Sequence, residues 1–163
     1  MKKLFITAIF ALAFFAFAGA QSMDNLINAF QNNSETVHPT ISKEMMEAMA
    51  AKKDSSSSKN VEQFTKNLEK MDLFVLEKKE NNKADEVIQA MEAYRDGGGF
   101  ETLLSVNEKE DHVRIVAHKD SEGLFSEVNI MVNSNKEVVL VRFVGRFSPD
   151  DLQQIVNEQK NKF

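Results

Sequence analysis

From Leu104 to Val144 the chain alternates apolar and polar residues through four successive runs, each separated from the next by turn-forming residues. Alternation with period two sorts side chains onto the two faces of a strand, and connections this short can join only antiparallel neighbours. The pattern therefore predicts an antiparallel meander. A two-residue turn at Ser134-Asn135 would set Ile130 opposite Val139, Val128 opposite Val141 and Ser126 opposite Phe143. Pairing Lys119 with Leu124 sets Val113 opposite Ile130, Ile115 opposite Val128 and Ala117 opposite Ser126, and a loop at Glu108–Asp111 sets Val106 opposite Val113 and Leu104 opposite Ile115. A slip of one residue at any turn would exchange the faces, so the agreement of three turns on one parity supports the sheet.

The flanking segments read as helices and short extended pieces. Met23, Leu26, Ile27 and Phe30 share one helical face. Pro39 excludes a helix interior and favours extension from Thr36 to Ile41. Ser42 is placed to cap a helix bearing Met45, Met46 and Met49. A polar tract near 53–60 reads as a flexible loop; Val61, Phe64 and Leu68 have helical spacing, and Leu73–Leu76 that of a strand. Val87, Ala90, Met91 and Tyr94 line a further helix that Gly97-Gly98-Gly99 ends. After the meander, Ser148 as cap and Pro149 at the first position open a helix whose apolar face is Leu152, Ile155 and Val156. The expected fold is α+β: a four-stranded antiparallel meander at about 100–145, packed in two layers with helices from the N-terminal half and a C-terminal helix.

Residues 1–20 carry Lys2-Lys3, an apolar run from Leu4 to Phe17 and the small exit Ala18-Gly19-Ala20, the three parts of a cleavable signal peptide. The run falls short of the ~20 residues a transmembrane helix requires, so the mature chain, 21–163, is expected to be one exported domain without a membrane span. Without Lys2 and Lys3 it holds 18 basic against 25 acidic residues, a poor match for nucleic acid. With no Cys, disulfides, thiolate metal sites and thiol catalysis are excluded.

The face of the sheet opposite Val113, Ile115, Val128 and Ile130 carries the polar residues of interest. In the register above Glu127 lies directly opposite Arg142, with Arg114 one diagonal away, alongside Phe125, Asn129 and Met131. A carboxylate between two guanidinium groups can anchor an acidic ligand or hold a general base, and equally forms a structural cross-strand ion pair. Arg114, Glu127 and Arg142 are thus the candidate ligand-binding residues. His112 and His118 stand six strand residues, roughly 20 Å, apart, too far to share a metal. The acidic loops at 108–111 and 120–122 lack the ligand ladder of a calcium loop, and nucleotide and nucleophile motifs are absent, so no cofactor is implied.

Three stretches resemble the exported bacterial family catalogued as domain of unknown function 4252: Thr36–Met46 (TVHPTISKEMM), Leu124–Val132 (LFSEVNIMV) and Val138–Val156 (VVLVRFVGRFSPDDLQQIV). The last, an apolar strand reaching a Gly and then a capped helix with Asp-Leu, is the most specific. The resemblance covers the chain from about Asp24 to its end, implies a secreted or envelope-facing protein of a Gram-negative bacterium, and brings no activity with it. Relatives that begin with a lipoprotein-type Cys differ here, since this chain has none. The functional expectation is a non-enzymatic periplasmic module that binds an envelope protein or an apolar ligand. Two other classes compete: a small hydrolase using Glu127 with Arg114 or Arg142, or His38 with a carboxylate, and an assembly factor acting through a sheet edge.

Overall fold

The computed structural model describes residues 22–50, 66–80 and 83–153. The signal segment, the polar tract near 53–60, Val61, Phe64, Ile155 and Val156 lie outside the described residues. In chain order the elements are α1 (Met23–Asn32), β1 (Thr40–Ser42), α2 (Lys43–Ala50), β2 (Leu68–Glu77), α3 (Ala84–Ala93), β3 (Phe100–Glu108), β4 (Asp111–Lys119), β5 (Phe125–Asn133) and β6 (Glu137–Phe147). No described helix is long and apolar enough to cross a membrane.

The fold is α+β with an antiparallel sheet, but the sheet has six strands rather than four, in the order β1-β2-β6-β5-β4-β3. The meander β3 to β6 forms as its alternation predicts, and β2 and β1 add beyond β6. Leu68, expected in a helix with Val61 and Phe64, instead opens the ten-residue β2 and pairs with Gly145. The extended stretch at Thr36–Ile41 runs beside β2, with Val37 bridging Val75 before β1 pairs Thr40 with Asp72.

Register is as expected between β3 and β4, where Val106 meets Val113 and Leu104 meets Ile115. It differs by two residues at the next two pairings: Ile115 meets Ile130, and Ile130 meets Val141. Turn chemistry accounts for both. The Ser134 hydroxyl accepts the N–H groups of Lys136 and Glu137 at 3.3 and 3.2 Å, which moves the β5–β6 turn one residue along, to Asn135-Lys136. Between β4 and β5, Asp120 Oδ1 accepts the N–H groups of Glu122 and Leu124, and Gly123 at φ 81° closes a three-residue loop. Such a loop alone would exchange the faces; a β-bulge at Ser126 restores them. The bulge also sends Phe125, expected beside Glu127, to the opposite face, where it packs with Val128 and Phe147.

Two apolar clusters hold the sheet. On one face, Met23, Leu26 and Phe30 of α1 and Val87, Ala90 and Met91 of α3 pack against Phe74, Val116, Met131 and Leu140. On the other, Met46 of α2 and Leu152 meet Leu68, Ile115, Val128 and Phe147. The starts of α1 and α2 follow local capping: Ser22 Oγ accepts from Asn25 N at 3.3 Å, and Ser42 Oγ from Met45 N at 3.4 Å. At Ser148 the cap is reciprocal. Its hydroxyl accepts the Asp151 N–H, and Asp151 Oδ2 accepts the Ser148 N–H at 2.8 Å, which opens the helical residues 149–153 behind Pro149.

Candidate functional site

The three expected site residues separate into two places. Arg142 stands opposite Asn129, and Glu127 opposite Val144, yet the long guanidinium reaches across the diagonal so that Nη2 meets Glu127 Oε2 at 2.7 Å. Arg114 does not join them. The two-residue change of register puts it opposite Met131, whereas Glu127 pairs with His118, four residues or ~13 Å further along β4. Its Nη1 donates to the Tyr94 carbonyl at 3.3 Å, and the guanidinium sits 6.0 Å from the Tyr94 ring centroid.

What completes the Glu127–Arg142 cluster comes from the two strands absent from the expected sheet. Asp72 of β2, 4% exposed, faces Arg142 across the ladder, with Nη1 to Oδ2 at 3.5 Å. Lys70 Nζ lies 3.0 Å from the same oxygen, Thr40 Oγ1 donates to Oδ1 at 2.7 Å, and His38 Nε2 is 3.7 Å from Oδ1. The His38 ring stacks on Phe74 at 3.8 Å. Glu127 is also fully engaged, its Oε1 accepting from Asn129 Nδ2 at 2.9 Å. One hint of Asp72 was present in the sequence: an acidic residue directly before the apolar run Leu73–Leu76, at the parity of Phe74 and Leu76.

Burial pushes the Asp72 carboxyl up, but hydrogen bonds from Thr40 and Lys70 and the charges of Lys70 and Arg142 outweigh it and hold the group below its ordinary value. Arg142 is raised, chiefly by its hydrogen bond to Glu127, with further help from the charges of Glu127, Asp72 and Asp24. Both carboxylates are therefore satisfied acceptors. A base needs a free lone pair and a pKa near working pH, and Asp72 offers neither. His38 and Asp72 approach each other, but the hydroxyl nearest them, Thr40, donates to the carboxylate rather than to the imidazole.

A depressed carboxyl stabilises the fold above its unfolded pKa, and that contribution is lost as pH falls through the folded value. Asp72→Asn should consequently be less stable than the parent at neutral pH and show a shallower loss of stability under acid. Chemical denaturation at a series of pH values checks this; parallel acid limbs for the two proteins would count against it.

Arg114 lies instead in a recess between the end of α3 and the sheet, of about 190 Å³. Two cross-strand rows build its wall: Ser105, Arg114 and Met131, then Asn107, His112 and Asn133. Met91 and Met131 supply apolar lining, and Glu92 stands at the α3 side. His112 Nδ1 is tied to Asn107 Oδ1 at 2.8 Å. Asn133 is 8% exposed, and its Oδ1 has no donor among the described residues. Next to the recess, burial and the Asp96 charge push the Tyr94 phenol up to about 12. Among the described residues, no group of three His, Asp or Glu side chains is placed to hold a metal ion.

Residues 30–155 match the family model described as Domain of unknown function (DUF4252). The chain belongs to this family. The matched DUF4252 region spans all six strands, α2 and α3, and so contains both the Asp72–Arg142–Glu127 cluster and the Arg114 recess. No curated protein and no solved structure matches the chain.

Proposed function

We propose that this DUF4252 chain is an exported, envelope-facing binding module without catalytic activity, and that the recess beside Arg114 is where it holds a small anionic ligand. Export rests on the signal pattern of residues 1–20. The observation that carries the ligand site is Arg114 itself: its guanidinium has five N–H donors, and among the described residues it meets a single carbonyl and an aromatic ring, with no carboxylate partner. A fixed cation above an apolar lining is the arrangement that holds a carboxylate with a short hydrocarbon tail. The recess is below the usual 300–1,000 Å³ of ligand pockets, which favours a metabolite-sized molecule over a lipid. The engaged carboxylates of Asp72 and Glu127 weigh against the hydrolase reading.

Hexanoate is the first probe. Calorimetric titration of the mature chain should give a Kd below about 1 mM, weakened at least roughly tenfold in Arg114→Met. No heat of binding, or equal binding by Arg114→Met, would sink the reading.

A second reading has its own observation. β3 ends the sheet as a nine-residue strand, whereas the other end, β1, has three residues. Short edge strands discourage added strands and long ones invite them. Here Asp96 already takes the Thr102 N–H at 2.8 Å and the Thr102 hydroxyl at 2.6 Å, leaving the later part of β3 as the place for a partner strand. A photo-crosslinking residue at Asn107 should then yield one discrete adduct in cells that the same residue at Asp85 on α3 does not; matching patterns would remove this reading.

A further inference from the structure

Resting on the assignment of the Arg114 recess as a ligand site, we infer that its ligand is a free α-amino acid with an apolar side chain. Three observations converge on that class. First, the recess presents one cation and one anion, Arg114 and Glu92, and neither has an ion-pair partner among the described residues. A simple fatty acid would satisfy Arg114 and place its own negative charge beside Glu92, whereas a zwitterion satisfies both. Second, the Asn133 side-chain oxygen is buried without a donor among the described residues, a condition that costs on the order of 1–3 kcal/mol unless something donates to it. Asn133 lines the recess, so a turn of its amide would present that oxygen to a donor held there. Arg114 and Asn133 lie on a cross-strand diagonal, Arg114 pairing with Met131 and Asn133 with His112, so their backbones are ~7–8 Å apart. Side chains reaching inward from that separation can grip the two charged groups on one α-carbon. Third, the apolar lining from Met91 and Met131 and the volume of about 190 Å³ suit a short aliphatic side chain and no more.

In this arrangement the carboxylate takes the free N–H groups of Arg114, which the Tyr94 carbonyl and ring hold in place. The ammonium group donates to Asn133 Oδ1 and faces the Glu92 carboxylate. A peptide is a poorer match, because its two termini do not share one α-carbon.

The test compares free leucine, N-acetylleucine, leucinamide and hexanoate by calorimetry on the mature chain, with Glu92→Gln as the variant. Glu92 is exposed, so its substitution leaves the fold alone. Leucine should bind roughly tenfold more tightly than N-acetylleucine or leucinamide, the worth of one charge-assisted contact. Glu92→Gln should weaken leucine severalfold and improve hexanoate. If N-acetylleucine and hexanoate bind as well as leucine, and all depend on Arg114, the ammonium group is not recognised: the amino-acid inference is overturned while the anion site stands. If none of the four binds, both fall together.

Discussion

Arg142→Met is expected to destabilise the fold by about 3 kcal/mol, the lower end of the cost of breaking a buried ion pair by removing one partner. Methionine keeps much of the volume and reach of the arginine stem, so lost packing is a small part of that figure. The larger part comes from what remains. Asp72 is 4% exposed, and the Glu127 side chain 12%, and both lose the guanidinium that lies between them. Lys70, Thr40 and Asn129 still serve the carboxylates, and the Arg142 side chain is itself 27% exposed, which keeps the loss from the top of the range. The urea midpoint of residues 21–163 reads the effect directly. Adding Asp72→Asn and Glu127→Gln to Arg142→Met should recover most of the stability, because neutral amides lose far less without a cation. A loss below about 1 kcal/mol for the single variant would mean that solvent screens the cluster as it does a surface pair. Failure of the triple variant to recover would assign the loss to packing.

The same residues show how far the alternation of apolar residues carries. It assigns most faces correctly, since Val113, Ile115, Val128 and Ile130 fall in one cluster and Val116, Met131 and Leu140 in the other. Neighbours within a face are a different matter. The Ser134 hydroxyl and the Asp120 carboxylate each selected a turn other than the one spacing suggested, and two residues of register separated Arg114 from Glu127 without disturbing parity. Glu127 and Arg142 still meet because arginine is long enough to span a diagonal. The β2–β6 pairing was out of reach for another reason. It joins strands separated by three others in sequence, with no turn to fix a register, and helical spacing at Val61, Phe64 and Leu68 competed with strand spacing for the start of β2. Asp72, Lys70, Thr40 and His38 could not be placed beside Arg142 without that pairing. The Arg114 recess was hidden similarly, since it depends on where the end of α3 comes to rest against β3, β4 and β5.

Gly145→Ala should be as damaging as loss of Arg142, for a purely steric reason. Gly145 lies where β6 meets the start of β2: it pairs with Leu68, and the next pair, Lys70 with Val144, follows an irregularity in register. A β-carbon on Gly145 would sit 2.2 Å from the Asn67 carbonyl oxygen and 2.9 Å from the ring of Phe147, which is fully buried. No rotamer relieves contact with a backbone oxygen, so β2 must move or the pairing must open, at a cost of about 3 kcal/mol and a fall in Tm of roughly 10 °C. Gly98 provides the contrast. It needs a left-handed backbone at φ +60°, but a β-carbon there meets nothing within 4 Å among the described residues, so asparagine should be tolerated at Gly98 and not at Gly145. A Gly145→Ala protein melting within about 2 °C of the parent would show that the chains do not approach so closely. Displacement of β2 also has a consequence at a distance. Asp72 lies on the same strand, so moving its start loosens the Asp72–Arg142 contact, and Arg142→Met then has less left to remove. The double variant should accordingly lose less stability than the two single losses added together, by about 0.5–1 kcal/mol. Strict additivity would mean that the close approach at Gly145 and the charged cluster are held independently.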